Sequence, residues 1–122
     1  MYVNASALDA LSTIQAVSAN NLANMNTNRF QASRVHLQEQ AQGGVRVASI
    51  TKDPTPGPLV PEQRLVERDG RVEQEEVLVP ASNTDPVREF TTMVATKHAF
   101  TANVKAISAR ADMLGTLMDM QA

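Results

Sequence analysis

Two runs of apolar residues at helical spacing, one at each end of the chain, flank a segment that no helix can cross, and this arrangement constrains the fold most. In the first run Val3, Ala7, Ala10, Ile14, Val17 and Asn21 recur at alternating steps of four and three, with Leu8, Leu11 and Leu22 widening the stripe. This spacing predicts an amphipathic helix over residues 4–25. Its apolar side chains are small, alanine prominent among them, which favours close approach to another helix over a narrow seam. In the last run Phe90, Met93, Lys97, Phe100, Val104, Ile107, Ala111, Leu114 and Met118 keep three-and-four spacing almost to the C-terminus. That helix opens at Asn83-Thr84-Asp85-Pro86, where Asp85 can cap and Pro86 can take the first helical position, its missing donor costing nothing there.

A lone helix exposing such a row in water is not a tolerable end state, so each stripe must meet the other or a second molecule. Both stripes keep close to a seven-residue repeat, which predicts pairing of the two helices as a coiled-coil-like stem. Between them Gly43-Gly44 breaks the chain and residues 45–50 begin a short extended run. Pro54, Pro56, Pro58 and Pro61 then exclude a helix, because proline lacks the backbone donor and fixes φ; the tract reads as a loop or extended arm. Asp69-Gly70 between two β-compatible arms predicts a hairpin with strands near 63–68 and 71–79. The expected fold is mainly α with a small β part. Residues 1–40 hold the N-terminal helix and an asparagine-rich signature, 41–82 the proline-rich and hairpin middle, and 83–122 the C-terminal helix.

Inventory excludes most chemistry. At 122 residues the chain is one domain by size, with little core left for its middle if its ends pair. A net charge of −2 with acids and bases evenly scattered lacks the basic face that nucleic acid or an anionic membrane would need. There is no cysteine for a disulfide or a thiolate metal site. No apolar run is long enough for a membrane span, and the N-terminus lacks the pattern of a cleavable secretory signal. His36 and His98 have no ligand-spaced companion, and Glu73, Glu75 and Glu76 read as a solvated strand edge. Gly43-Gly44 lacks the lysine and hydroxyl of a phosphate loop. The chain is expected to be no enzyme and to need no cofactor or metal.

The first helix ends in Ala19-Asn20-Asn21-Leu22-Ala23-Asn24-Met25-Asn26-Thr27-Asn28-Arg29-Phe30, a run whose neutral amides cap helices and fix turns but carry no acid–base chemistry. With Ser6-Ala7-Leu8 before it, this stretch resembles the N-terminal signature of the bacterial flagellar rod and hook family. The family pattern closes on a glycine-phenylalanine pair, and here Arg29-Phe30 departs from it. Asn83-Thr84-Asp85-Pro86-Val87-Arg88-Glu89-Phe90, His98-Ala99-Phe100-Thr101-Ala102-Asn103-Val104 and the tail from Ala111 to Met118 are similar to the same family's C-terminal helix, with Phe100 where tyrosine is common. In order and length the middle resembles that of a proximal-rod member.

The resemblance implies a structural axial subunit of the flagellar basal-body rod, polymerising through its terminal helices into the drive shaft of motility. It implies self and other rod proteins as partners, passage through the flagellar type III export apparatus without a cleaved signal, and a place in the periplasmic rod. Neither nucleic-acid binding nor membrane insertion is expected. The assembly interface is assigned to Leu8, Leu11, Ile14, Val17, Asn21, Leu22 and Asn24 on the first helix. On the second it takes Phe90, Phe100, Asn103, Val104, Ile107, Leu114 and Met118. Lys97 reads as a snorkelling side chain at the seam's edge, with Val94 filling its place. Asn103 is a helix-surface amide or a register-fixing residue. Two alternatives use the same stripes: a soluble helical-hairpin adaptor or secretion chaperone, and an injectisome inner-rod component.

Overall fold

The computed structural model describes residues 2–121. Its elements run α1 (Tyr2–Ala23), β1 (Ser33–Glu39), β2 (Val45–Lys52), β3 (Leu59–Arg68), β4 (Arg71–Pro80) and α2 (Pro86–Gln121). Two antiparallel two-stranded sheets, β1–β2 and β3–β4, lie between the helices in sequence. With about 48% helix and 29% strand, the chain is mixed α/β, so the expectation of a mainly helical protein with one small hairpin understates the sheet. Among the described residues no helix is long and apolar enough to cross a membrane.

The start of α2 follows from its sequence: Asp85 Oδ1 accepts the backbone N–H of Val87 at 3.1 Å, capping the helix just before Pro86. The Asp69-Gly70 turn also forms where expected, with φ of 50° and 77°, in the left-handed region that a two-residue hairpin requires. β3 starts earlier than expected and contains Pro61, paired with Leu78. A two-stranded ribbon has an open edge along each strand, where a nitrogen without hydrogen is tolerated.

The unexpected element is β1. It pairs with β2 from Ser33↔Lys52 to Glu39↔Val45, with a bulge between His36 and Leu37. The hairpin packs along α1, and its tip is fixed at the helix start. Gly44 has φ +87°, and a Cβ there would come within 2.5 Å of Ser6 Oγ. The same Ser6 hydroxyl accepts the N–H of Val45 at 3.2 Å, and Tyr2 donates its phenol to Gln40 at 2.6 Å. Glycine at 44 therefore lets the turn close onto α1.

The helices pack antiparallel: Asn21 meets Glu89, while a groove further along brings Leu11–Ala19 beside Thr96–Thr101. The seam is displaced from the expected one. On α2 the positions turned inward are Glu89 and Thr96, buried, with Thr92, Met93, Ala99, Asn103 and Ile107 half-buried. Phe90 remains 60% exposed. The apolar stripe is thus split: Met93 and Ile107 are half-buried, while Phe90, Phe100, Val104, Leu114 and Met118 remain exposed. The reason is the small surface of α1, where Ala10, Ser18 and Asn21 are the buried residues. Small residues such as Ala10, Ser18 and Thr96 let the backbones approach, and the larger Phe90, Phe100 and Val104 are left exposed.

Candidate assembly surface

A polar knot at the junction of both helices and the first hairpin positions the outer surfaces. Asn21 Oδ1 accepts the N–H of Ser33 and its Nδ2 donates to the Ser33 carbonyl, both at 2.9 Å, so one side chain engages the backbone much as a neighbouring strand would. Asn21 Nδ2 also reaches Glu89 Oε1 at 3.2 Å, and Arg34 Nη1 donates to that oxygen at 2.7 Å. Glu89 is only 2% exposed. A carboxylate that deep is tolerable only when paired and hydrogen-bonded, and Arg34 and Asn21 supply both.

Asn83 performs a parallel task beside it. Its Oδ1 accepts the N–H of Ala32 at 2.6 Å, and its Nδ2 donates to the carbonyls of Asp53 and Thr55 at 2.9 and 2.7 Å. The chain segments before β1 and after β2 are thereby tied to the approach to α2. Asp53 Oδ1 accepts the N–H of Thr55 at 2.9 Å. That backbone bond first, and a side-chain bond from Thr55 second, hold the Asp53 carboxyl below its ordinary value of 3.8.

Arg29 has φ +65°, in the left-handed region disfavoured for a side chain. It stands where the resemblance has glycine, which accounts for the glycine in the pattern. Its N–H donates to the Pro80 carbonyl at 2.8 Å and its guanidinium pairs with Glu62 at 3.1 Å, tying the loop to the base of the β3–β4 ribbon.

Two apolar surfaces are left uncovered. The first is the far part of α2: after Ile107 every described residue of the helix is exposed, Met113, Leu114, Leu117, Met118 and Met120 among them. The second is the β3–β4 ribbon, which packs against neither helix and not against β1–β2 among the described residues.

The residues assigned from sequence to an assembly interface divide into groups. Leu8, Leu11, Ile14, Val17 and Leu22 are half-buried on α1, and Ile107 on α2. Asn21 is buried in the knot. Asn24 acts locally, its Nδ2 bonded to the Asn20 carbonyl at 2.9 Å and its Oδ1 to Thr27 at 3.1 Å, finishing the helix. Asn103 spends its amide on the Ala99 carbonyl at 2.8 Å. Phe90, Phe100, Val104, Leu114 and Met118 are exposed. The sequence reading missed Arg34, Asn83 and Glu89 as the partners that hold the elements together. Glu89 carried one usable signal, a carboxylate in three-and-four register with Met93, Thr96 and Asn103.

Comparison with known proteins places these ends in one family. Residues 1–31 match the family model described as flagella basal body rod protein. Residues 79–120 match that of the flagellar basal body rod FlgEFG protein C-terminal region. The flagellar basal-body rod protein FlgC of Yersinia enterocolitica is 33% identical over 126 aligned positions, covering 92% of this chain and 89% of that protein. Such proteins are structural components and not enzymes. With α1, the asparagine run and α2 as far as Met120 inside the matched regions, and the relative aligned through the middle as well, the chain belongs to the flagellar basal-body rod protein family.

Proposed function

We propose that this rod subunit polymerises with itself and with other rod proteins through its terminal helices, building the shaft that carries torque from motor to hook. The observation that carries this is the exposed segment Ser108–Gln121 of α2, a row of large apolar side chains with nothing packed on it among the described residues. Neighbouring subunits would cover that row and complete a coiled-coil-like stem around the filament axis. The hairpins would lie outside and distinguish one rod neighbour from another. One patch meeting a different patch through a rotation that does not close yields an open helical assembly. The subunit would reach the periplasmic rod through the flagellar type III export apparatus, without a cleaved signal.

Sedimentation velocity across a wide concentration range tests the reading. Polymers that lengthen with concentration support it. A single closed species at every concentration overturns it and favours the adaptor or chaperone. Mass spectrometry of purified basal bodies separates the flagellar rod from an injectisome.

A further inference from the structure

We propose that the β3–β4 ribbon of one subunit lays its outer face in the α1–α2 trough of a neighbouring subunit. This rests on the self-assembly reading and names the two surfaces that meet. Strand alternation and the ribbon's register put Leu59, Pro61, Leu65 and Glu67 on one face with Val72, Glu76 and Leu78. Leu65 and Val72 are each 68% exposed, whereas Val66, Val77 and Val79 on the other face are covered or half-covered. An isolated two-stranded ribbon is marginal in water, so an uncovered apolar face on one calls for a partner.

The trough is the groove of about 630 Å³ between the helices, lined by Leu11, Ala16 and Ala19 of α1 and by Thr96 and Phe100 of α2. Lys97 borders it; one turn beyond its lining residues Phe100 and Thr101 stand Val104, 43% exposed, and Lys105 at the polar edge. Gln15 Oε1 is buried at the trough with no hydrogen-bond partner among the described residues. Gln63 and Gln74 on the ribbon's outer face carry amide donors that could serve it.

Charge selects the occupant. Residues 59–80 hold six acidic and three basic side chains, a net of −3 against −2 for the whole chain, so the remainder is at +1. Between Glu89 and Asp112, α2 carries Lys97, Lys105 and Arg110 and no acid. An apolar strip with acidic flanks therefore faces an apolar strip with basic flanks, the complementarity that sets register between partners. The subunit's own ribbon is tied at its base through Arg29 to Pro80 and Ala81 to Pro58 and packs on neither helix, so the occupant comes from another copy.

The absence of cysteine makes a clean test. Chains carrying Leu65→Cys and Val104→Cys are mixed under assembling conditions with a mild oxidant, beside a Gln38→Cys control. The expected result is a mixed disulfide at least tenfold above the control. Lys97→Glu with Lys105→Glu should cut its yield about tenfold, and Glu67→Lys with Glu76→Lys on the other chain should restore it. Sedimenting polymers without the mixed disulfide overturn this contact while leaving self-assembly standing. Preferential linkage of Val104→Cys to Leu117→Cys does the same and makes the end of α2 the occupant. Loss of restoration in the charge exchange overturns the pairing of these faces. A failure of unsubstituted chains to polymerise overturns the self-assembly reading together with this contact.

Discussion

Asn21 at the end of α1 donates to Glu89 in the first turns of α2 across 3.2 Å, and the accepting oxygen is the one that Arg34 of β1 holds at 2.7 Å. α1 and β1 therefore converge on one buried carboxylate of α2, more than fifty residues further along the chain. The knot fixes where α1 ends against α2, and so which α2 positions are left outside.

Arg34→Ala should be among the most damaging single changes in the first hairpin, because it leaves Glu89 buried with its charge uncompensated. A loss of about 3–5 kcal/mol is expected, read as a lower urea midpoint by circular dichroism. Arg34→Met combined with Glu89→Gln removes both charges and should recover a substantial part of that loss. A double variant no more stable than Arg34→Ala would show that the ion pair is not what holds the junction.

Arg29→Gly should stabilise the chain slightly. Glycine relieves a left-handed backbone that costs a side chain about 1 kcal/mol, and the exposed pair with Glu62 returns less than that. Arg29→Ala loses the pair and keeps the strain. The order of urea midpoints, glycine above arginine above alanine, is the check.

What could be read from sequence was whatever depends on near neighbours. The Asp85 cap, Pro86 and the Asp69-Gly70 turn are each set by residues within one turn of chain, and each appears in place. β1 was not legible, because Ser33–Glu39 owes its position to the amide of Asn21, twelve residues before its first residue, and to Asn83 beyond β4. Asparagine at a helix end is rightly read as a cap, as Asn24 is; the sequence carries no local mark that Asn21 engages a strand instead. The two apolar stripes were legible as helices but not as surfaces. Periodicity identifies an apolar face without saying which neighbour covers it, and here Thr96 is buried and Ala99 half-buried while Phe90 and Val104 are exposed.

Asp53 gives the fold a defined acid sensitivity. Its folded carboxyl is held below 3.8, chiefly by the Thr55 backbone N–H, so its contribution is fully present above the unfolded value and is lost as pH falls through the lower folded one. Asp53→Asn keeps an acceptor for Thr55 and removes the titration. Urea midpoints measured from pH 5 downward should therefore fall less steeply for Asp53→Asn than for the unsubstituted chain, with the difference confined to the region below about pH 4. Parallel profiles would remove Asp53 from the acid response.

Position along α2 should separate folding from assembly. Ile107 is the last half-buried residue of α2, so Ile107→Asp places a carboxylate in a partly covered apolar position and should cost about 2–3 kcal/mol in the dilute monomer. Leu117, beyond the seam, is 56% exposed, in the part of α2 where every described residue is exposed. Leu117→Asp should leave the urea midpoint of the monomer within about 0.5 kcal/mol of the parent yet abolish sedimenting polymer, because the charge falls where a neighbouring subunit must close off water. Asp112→Ala, on the polar side of the helix, should change neither. Polymer yield that survives Leu117→Asp would mean that the far part of α2 is not an assembly surface, whatever the seam contributes to the fold.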